Sequence, residues 1–297
     1  MFTKYFGEST IVRLSGGLGN QLFQICNAQR VADLYQGKIV LDLSWFKYNY
    51  MRSSLVSSRN YESDYFPEIA KLPKYFAKFP RIDNKVGSVQ RRLTGPQQKF
   101  LRIMSVQNQH LFKRMPVLID GVFASKQFIP SKNVLSKLLQ FPLGASNWLE
   151  DTLGDLANAS SVAVHVRMGD YLKLADIYGV LDIEFYRVAV DRFRADNPEV
   201  EFHLFSDSPE DASNWLKPIV AFNKVIDSPA NSPVAETLRL MSSYKGLIAS
   251  NSTFSWWAGY LGTSSGTMKR VIIPKRFTNL VSDDVMSDYL LDTWDMF

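Results

Sequence analysis

From residue 161 onward, short β-branched apolar runs alternate with helical segments at regular spacing. That alternation restricts the chain to a parallel α/β plan, because parallel neighbours need a crossover about as long as a helix. Strands are predicted at 161–167, 201–206, 222–226, 246–250 and 270–273, with helices at about 183–196, 209–217, 233–243, 253–261 and 279–290. The chain opens in the same way. Thr10–Leu14 reads as a strand, Ser15–Gly19 as a glycine turn, Asn20–Tyr35 as a helix and Lys38–Leu43 as a second strand. Leu22, Ile25, Cys26, Ala32 and Tyr35 form one stripe of that helix, and Gly37 stops it. Residues 44–116 give no clear period, Val117–Gly121 reads as a strand, and helices are predicted near 132–140 and 145–157. A length of 297 residues favours two domains. The polar, small-residue break Asn158–Ser161 puts their boundary between residues 158 and 159, giving domains 1–158 and 159–297.

Composition narrows the class further. With 46% hydrophobic and 21% charged residues the chain is neither disordered nor fibrous. Its one cysteine, Cys26, excludes an internal disulfide and sits among apolar neighbours, as a buried helix residue would. No run of 18 apolar residues exists to span a membrane. Met1–Glu8 lacks the basic-then-apolar plan of a signal peptide, so a cytoplasmic location is expected. On that expectation the sequons at Asn158 and Asn251 stay unused. The net charge of +5 is uneven: residues 71–114 hold eleven Lys/Arg and one acid, Asp83, for a net +10. Aromatic residues interleave with those cations, so the segment is either a solvated helical face or a patch for an anionic membrane or acceptor. No nucleic-acid motif accompanies it, and no nucleic-acid partner is expected.

Four stretches carry chemistry. The strand Ser161–Val164 delivers His165, Arg167 and Asp170 at its carboxyl end, where ligands of open α/β sheets bind. A buried Arg there needs an anion, which is either a neighbouring acid such as Asp170 or a phosphorylated ligand. His165 is either a helper at that site or a satisfied strand-end histidine. In Gly16-Gly17-Leu18-Gly19-Asn20-Gln21, Gly17 and Gly19 match two of the three glycines of a dinucleotide fingerprint, while the third position falls on Leu22. This turn either only joins strand to helix or also brings backbone to a ligand at a helix N-terminus, with Asn20 and Gln21 as polar reach. Phe205-Ser206-Asp207-Ser208-Pro209 supplies a helix start at Ser208 and Pro209. It leaves Asp207 free to accept two N–H bonds from a guanine edge. Finally, Ser250-Asn251-Ser252-Thr253-Phe254-Ser255 places hydroxyls and free backbone amides at a helix N-terminus, a ready anion site. Trp256 and Trp257 behind it are expected to pack rather than to stack on sugars.

Three of these motifs, in this order and spacing, resemble glycosyltransferase family 11, the α-1,2-fucosyltransferases in their bacterial form. They are Gly16-Gly17-Leu18-Gly19-Asn20-Gln21-Leu22-Phe23-Gln24, His165-Val166-Arg167-Met168-Gly169-Asp170-Tyr171 and Asn251-Ser252-Thr253-Phe254-Ser255-Trp256-Trp257. Phe205-Ser206-Asp207 and Tyr178-Gly179-Val180-Leu181-Asp182 fit the same pattern. The resemblance spans residues 11–274.

The resemblance implies a GT-B-like fold, with two Rossmann-like domains facing each other across a cleft. The N-terminal domain would take the acceptor, and the C-terminal one would take GDP-β-L-fucose as donor substrate. Fucose would pass with inversion to the 2-hydroxyl of a terminal galactose, in O-antigen or other surface-glycan synthesis on a lipid-linked acceptor. Gly17, Gly19, Asn20, Gln21, Arg167, Asp207, Asn251, Ser252, Thr253 and Phe254 are the expected donor-binding residues. Arg167, His165 and Asp170 are the expected catalytic residues, with Asp176 and Asp182 as further candidates for the base. Resembling sequences carry two successive arginines, and here the second is Met168. Successive strand residues face opposite sides, so Met168 need not face the ligand that Arg167 meets.

No metal is expected, since Asp182-Ile183-Glu184 is better read as helix capping than as a ligand set. No cofactor beyond the donor is expected either. The enzyme would work in the cytoplasm or at the inner face of the plasma membrane, against which residues 71–114 would lie. Rival readings are another sugar-nucleotide transferase, a glycan-binding protein using its six tryptophans, or an oxidoreductase with Asp42 on a nicotinamide ribose.

Overall fold

The computed structural model describes residues 9–35, 37–47, 60–76, 101–103, 117–119, 121, 124, 126–156, 160–169, 176, 179, 181–278 and 290–297. Two compact units divide between Phe141 and Pro142.

In the N-terminal unit β1 (Ser9–Arg13), β2 (Lys38–Asp42), β3 (Lys74–Tyr75), β4 (Leu101–Ile103) and β5 (Val117–Ile119) form one sheet in the order β3-β2-β1-β5-β4. Every pairing is parallel, with Ile11 opposite Val40 on one side and Leu118 on the other. The edge strands β3 and β4 fall in the stretch whose sequence shows no period. Two or three residues are too few to establish an alternation. Helix α1 (Leu18–Tyr35) follows β1, and Leu22, Phe23, Ile25, Cys26 and Ala28 are buried. Burial also pushes the Cys26 thiol well above its ordinary range. Gln21, Gln24 and Asn27 are buried on the same helix, which an amphipathic pattern would leave outside.

The C-terminal unit begins earlier than the expected boundary of 158/159. Helix α2 (Lys132–Leu138) precedes the division, and α3 (Asn147–Leu156) lies beyond it. Leu149 and Leu156 of α3 are buried, and the helix packs against the later helix at 234–242. Just ahead of α3, the buried Glu236 accepts hydrogen bonds from the Ser146 amide (2.9 Å) and hydroxyl (2.5 Å). Lys224 reaches Asp155 at 2.8 Å. The polar break near 158–160 therefore joins two elements of one unit. Small polar residues of this kind occur both inside and between domains, so composition alone does not place a boundary.

The second sheet contains β6 (Ser161–Val166), β7 (Glu201–Ser206), β8 (Lys224–Val225), β9 (Gly246–Ile248), β10 (Arg270–Ile273) and β11 (Asp295–Met296). Its order is β11-β10-β9-β6-β7-β8, parallel throughout. Read from β8 this is the doubly wound 3-2-1-4-5-6 order, and its reversal point lies between β6 and β9. The linking helices are α4 (Ile183–Asp196), α5 (Pro209–Leu216), α6 (Val234–Ser242) and α7 (Thr253–Ser265). Each lies within two residues of its predicted start. The helix expected at 279–290 falls outside the described residues except Leu290, which is not helical.

Val162, Val164 and Val166 face one core with Phe185, Tyr186, Ala189, Val190 and Phe193 of α4. Asp182 starts α4 as predicted, its carboxylate accepting from the Glu184 amide at 3.0 Å. Ser208 precedes α5 with Pro209 in the first turn, but its side chain makes no capping bond. Its amide donates instead to Ser206 Oγ at 3.1 Å.

Candidate active site

β6 alternates valines toward α4 with residues facing the other side, and His165 is the last of these within the strand. The ring is buried. Its Nδ1 lies 2.8 Å from Ser250 Oγ, and its centroid lies 6.0 Å from that of Phe254. Behind it the Tyr186 hydroxyl donates to the His165 carbonyl at 3.1 Å, tying α4 to the strand end. Burial, with Arg167 as a second cause, lowers the imidazole pKa from 6.5 to about 3. The ring is therefore neutral near neutral pH and offers hydrogen bonds rather than charge.

The register sets β7 beside β6, with Val166 opposite Ser206, so Arg167 and Asp207 leave adjacent strand ends. Arg167 Nη1 lies 3.1 Å from Asp207 Oδ2, both side chains being less than a quarter exposed. The other carboxylate oxygen accepts the Met168 amide at 3.0 Å. Both oxygens of Asp207, expected on a guanine edge, are thus engaged inside the chain. Met168 packs against the valine and α4 cluster, so the residue that departs from two arginines lies against that core.

On the other flank, β9 runs beside β6 and leads into the hydroxyl-rich turn. Ser252 caps α7, its hydroxyl accepting the Phe254 amide at 3.3 Å. Asn251 Nδ2 donates to the Gly179 carbonyl at 3.2 Å, where Gly179 has a positive φ of 72°. Ser255 Oγ donates to the carbonyls of Ser250 and Ser252, both at 3.2 Å. The buried side chains of Ser250, Asn251, Ser252 and Ser255 thus shape the turn. The face offered to an anion is the α7 N-terminus, with its backbone amides and dipole, at the partly exposed Thr253 and Phe254. Trp256 and Trp257 are fully buried. Trp256 stacks on Tyr260 at 5.2 Å, in the packing role expected.

Arg167, His165 and the α7 N-terminus thus meet at the carboxyl ends of β6 and β9, the reversal point of their sheet. The candidate bases do not all join them. Asp170 lies outside the described residues, Asp176 is exposed, and Asp182 is a helix cap.

The first glycine motif belongs to the other unit. Gly16, not Gly17 or Gly19, takes the left-handed conformation (φ 75°). Asn20 folds over it so closely that a Cβ on Gly16 would sit 2.5 Å from Asn20 Nδ2. Gly17 accepts the Gln21 amide through its carbonyl at 3.1 Å, and Gly19 is buried in α1.

Gln21, expected to reach a ligand, is fully buried. Its Nε2 donates to the carbonyls of Gly16 (3.0 Å) and Asn60 (2.8 Å). Its Oε1 accepts from the amides of Glu62 (3.1 Å) and Ser63 (3.2 Å) and from Ser63 Oγ (2.8 Å). That side chain joins the turn to residues 60–63, which leaves it no group for a ligand. Gln24 likewise holds Ser15, and Asp42 accepts the Ser44 amide at 2.9 Å.

Sequence reasoning did not foresee the contact of Ser250 with His165 or the parts of Tyr186 and Gly169. Ser250 and Gly169 lie inside the recognised motifs, while Tyr186 carries no local signal. Among the described residues no cluster of three or more His, Cys, Asp or Glu could hold a metal ion. No described helix is long and apolar enough to cross a membrane.

Residues 143–294, just over half of the chain, match the family described as Glycosyl transferase family 11. The chain belongs to glycosyl transferase family 11. Among its relatives in that setting is the O-antigen biosynthesis glycosyltransferase WbnK of Escherichia coli, 25% identical over 95% of this chain and 98% of WbnK. An α-1,2-colitosyltransferase of Escherichia coli is 24% identical over 84% of this chain and 87% of its own. A galactoside 2-α-L-fucosyltransferase of Caenorhabditis elegans is 23% identical, covering 60% of this chain and 52% of that one. The family 11 match covers the unit that holds His165, Arg167 and α7. This chain is a glycosyltransferase related to α-1,2-fucosyl- and α-1,2-colitosyltransferases of glycan synthesis.

Proposed function

We propose that the enzyme is an inverting galactoside α-1,2-L-fucosyltransferase, taking fucose from GDP-β-L-fucose to the 2-hydroxyl of a terminal galactose in surface-glycan synthesis. The observation that carries this reading is that Arg167 and the α7 N-terminus follow the carboxyl ends of β6 and β9, the neighbouring strands at the reversal point of the C-terminal sheet. A diphosphate bound there meets one permanent cation and one helix dipole. In a single displacement the acceptor oxygen bonds to the anomeric carbon as the bond to the β-phosphate oxygen breaks. Negative charge collects on the departing GDP, and preorganised donors stabilise that charge most where water is excluded. Arg167 supplies the charge-assisted bonds. His165, neutral and fixed through Ser250, presents a hydrogen-bonding ring edge beside them. The acceptor proton leaves to a base on the acceptor side, for which Asp170 is the sequence-level candidate.

The reaction in this reading needs no divalent metal, and transfer unchanged by a chelator tests that part. An acceptor panel of type 1, type 2 and type 3 galactosides and lactose, run with GDP-fucose, tests the whole. Absence of transfer to all four would overturn it. The relationship to an α-1,2-colitosyltransferase supports a second donor reading, so GDP-colitose belongs in the same assay. The enzyme in this reading works at the cytoplasmic face of the plasma membrane, with the +10 segment 71–114 against anionic lipid. Cosedimentation with anionic vesicles that does not respond to salt would refute that.

A further inference from the structure

Arg167 is held on one side by a carboxylate that the chain has made room for. Asp207 Oδ2 sits 3.1 Å from Arg167 Nη1, while Oδ1 takes the Met168 amide at 3.0 Å, so the carboxylate bridges the ends of β6 and β7. It can lie there because residue 169 is glycine. A Cβ on Gly169 would come within 2.7 Å of Asp207 Oδ2 and 3.4 Å of its Cγ. The backbone gives no other reason for glycine at 169, since it is not among the positive-φ glycines of the described residues, which are 16, 144, 179 and 266. An arginine has five N–H donors in a rigid fork. A carboxylate on one edge of that fork fixes the plane and directs the remaining edge.

We propose that Asp207 is a positioning residue for Arg167, and that Gly169 is glycine to admit its carboxylate. Asp207 therefore acts on the donor through the arginine, and the pair prepares the diphosphate site before the ligand arrives. This rests on the nucleotide-sugar reading above, and it replaces a guanine contact for Asp207.

The test is a double-mutant cycle of Gly169→Ala and Asp207→Ala, reading the affinities of GDP and of guanosine by calorimetry. Each single variant is expected to weaken GDP about tenfold or more, the scale of a misplaced charge-assisted bond, and to leave guanosine within about twofold. The double variant should bind GDP no worse than Asp207→Ala, because the alanine methyl then has no carboxylate to displace. Equal losses for GDP and guanosine would make Asp207 a base contact or a general structural residue, and would overturn the proposal. Additive losses would overturn it as well. A wild-type chain that binds GDP no better than guanosine would instead refute the diphosphate site itself, and the positioning role with it. Should Asp207→Ala fail to fold, Asp207→Asn keeps an acceptor for the Met168 amide and is read as a single variant: GDP should weaken about tenfold with guanosine within about twofold, and equal losses for the two would overturn the proposal.

Discussion

Replacing Gln21 with alanine separates two accounts of the first glycine motif. If Gln21 reaches for a ligand, the variant binds poorly and folds normally. If it joins the turn to residues 60–63, the variant loses stability. Five hydrogen bonds meet at its amide. Three of their partners, the carbonyls of Gly16 and Asn60 and the amide of Glu62, belong to residues that are not buried and can turn to water. Those bonds are worth about 0.5–1 kcal/mol each. The Ser63 amide and hydroxyl belong to a fully buried residue, and leaving them unpaired costs about 1–3 kcal/mol. The sum is about 2.5–6 kcal/mol. Gln29, on the same helix, is a control, since its one side-chain bond goes to Asp33 near the surface. Gln29→Ala should cost no more than about 0.5 kcal/mol. Urea titration of both variants, with limited proteolysis of the 60–76 stretch, reads the difference. Equal midpoints for Gln21→Ala and Gln29→Ala would refute the reasoning.

Arg167→Ala should lower transfer about a thousandfold, as loss of a preorganised charge at a leaving group does, with Arg167→Lys recovering only part because a lysine cannot fork. Unchanged kcat/KM in the alanine variant would remove Arg167 from the reaction. His165 gives a pH signature in stability. Its folded pKa of about 3 lies below the unfolded 6.5, so between those values only the unfolded chain takes up the proton. Its contribution is complete above pH 6.5 and declines as pH falls toward 3. The wild type should therefore lose about 2 kcal/mol more than His165→Asn between pH 6.5 and 4.5, read by urea midpoints at each pH. Parallel curves would show that the ring is not buried neutral. Trp256→Ala removes a fully buried ring that stacks on Tyr260, and should cost about 3–5 kcal/mol by denaturant titration. A loss of glycan binding without a loss of stability would instead make it a sugar platform.

Local pattern determined much of this protein. Strands 161–166 and 201–206 and helices 183–196 and 253–265 announce themselves, because each carries its own period, cap or stop within its own residues. The identity of the site motifs was equally local. His165, Arg167 and the 250–255 turn end strands, and the strand end is where an open parallel sheet binds ligands. The boundary was not legible, since what ties the start of α3 to the C-terminal unit is a contact from Ser146 to the buried Glu236, ninety residues away.

Partner choice was likewise out of reach. The sequence makes Asp207 and Gln21 polar groups at loop starts, alike in their promise of ligand contact. Tertiary structure gives each a partner within the chain, because register sets Asp207 against Arg167 and the fold wraps residues 60–63 around Gln21. A polar side chain must find hydrogen bonds once it leaves water. Whether those come from a ligand or from the chain depends on which distant backbone folds over it. Chain neighbours determine helices, strands and caps, whereas the satisfaction of a buried polar group is decided only when the whole unit closes.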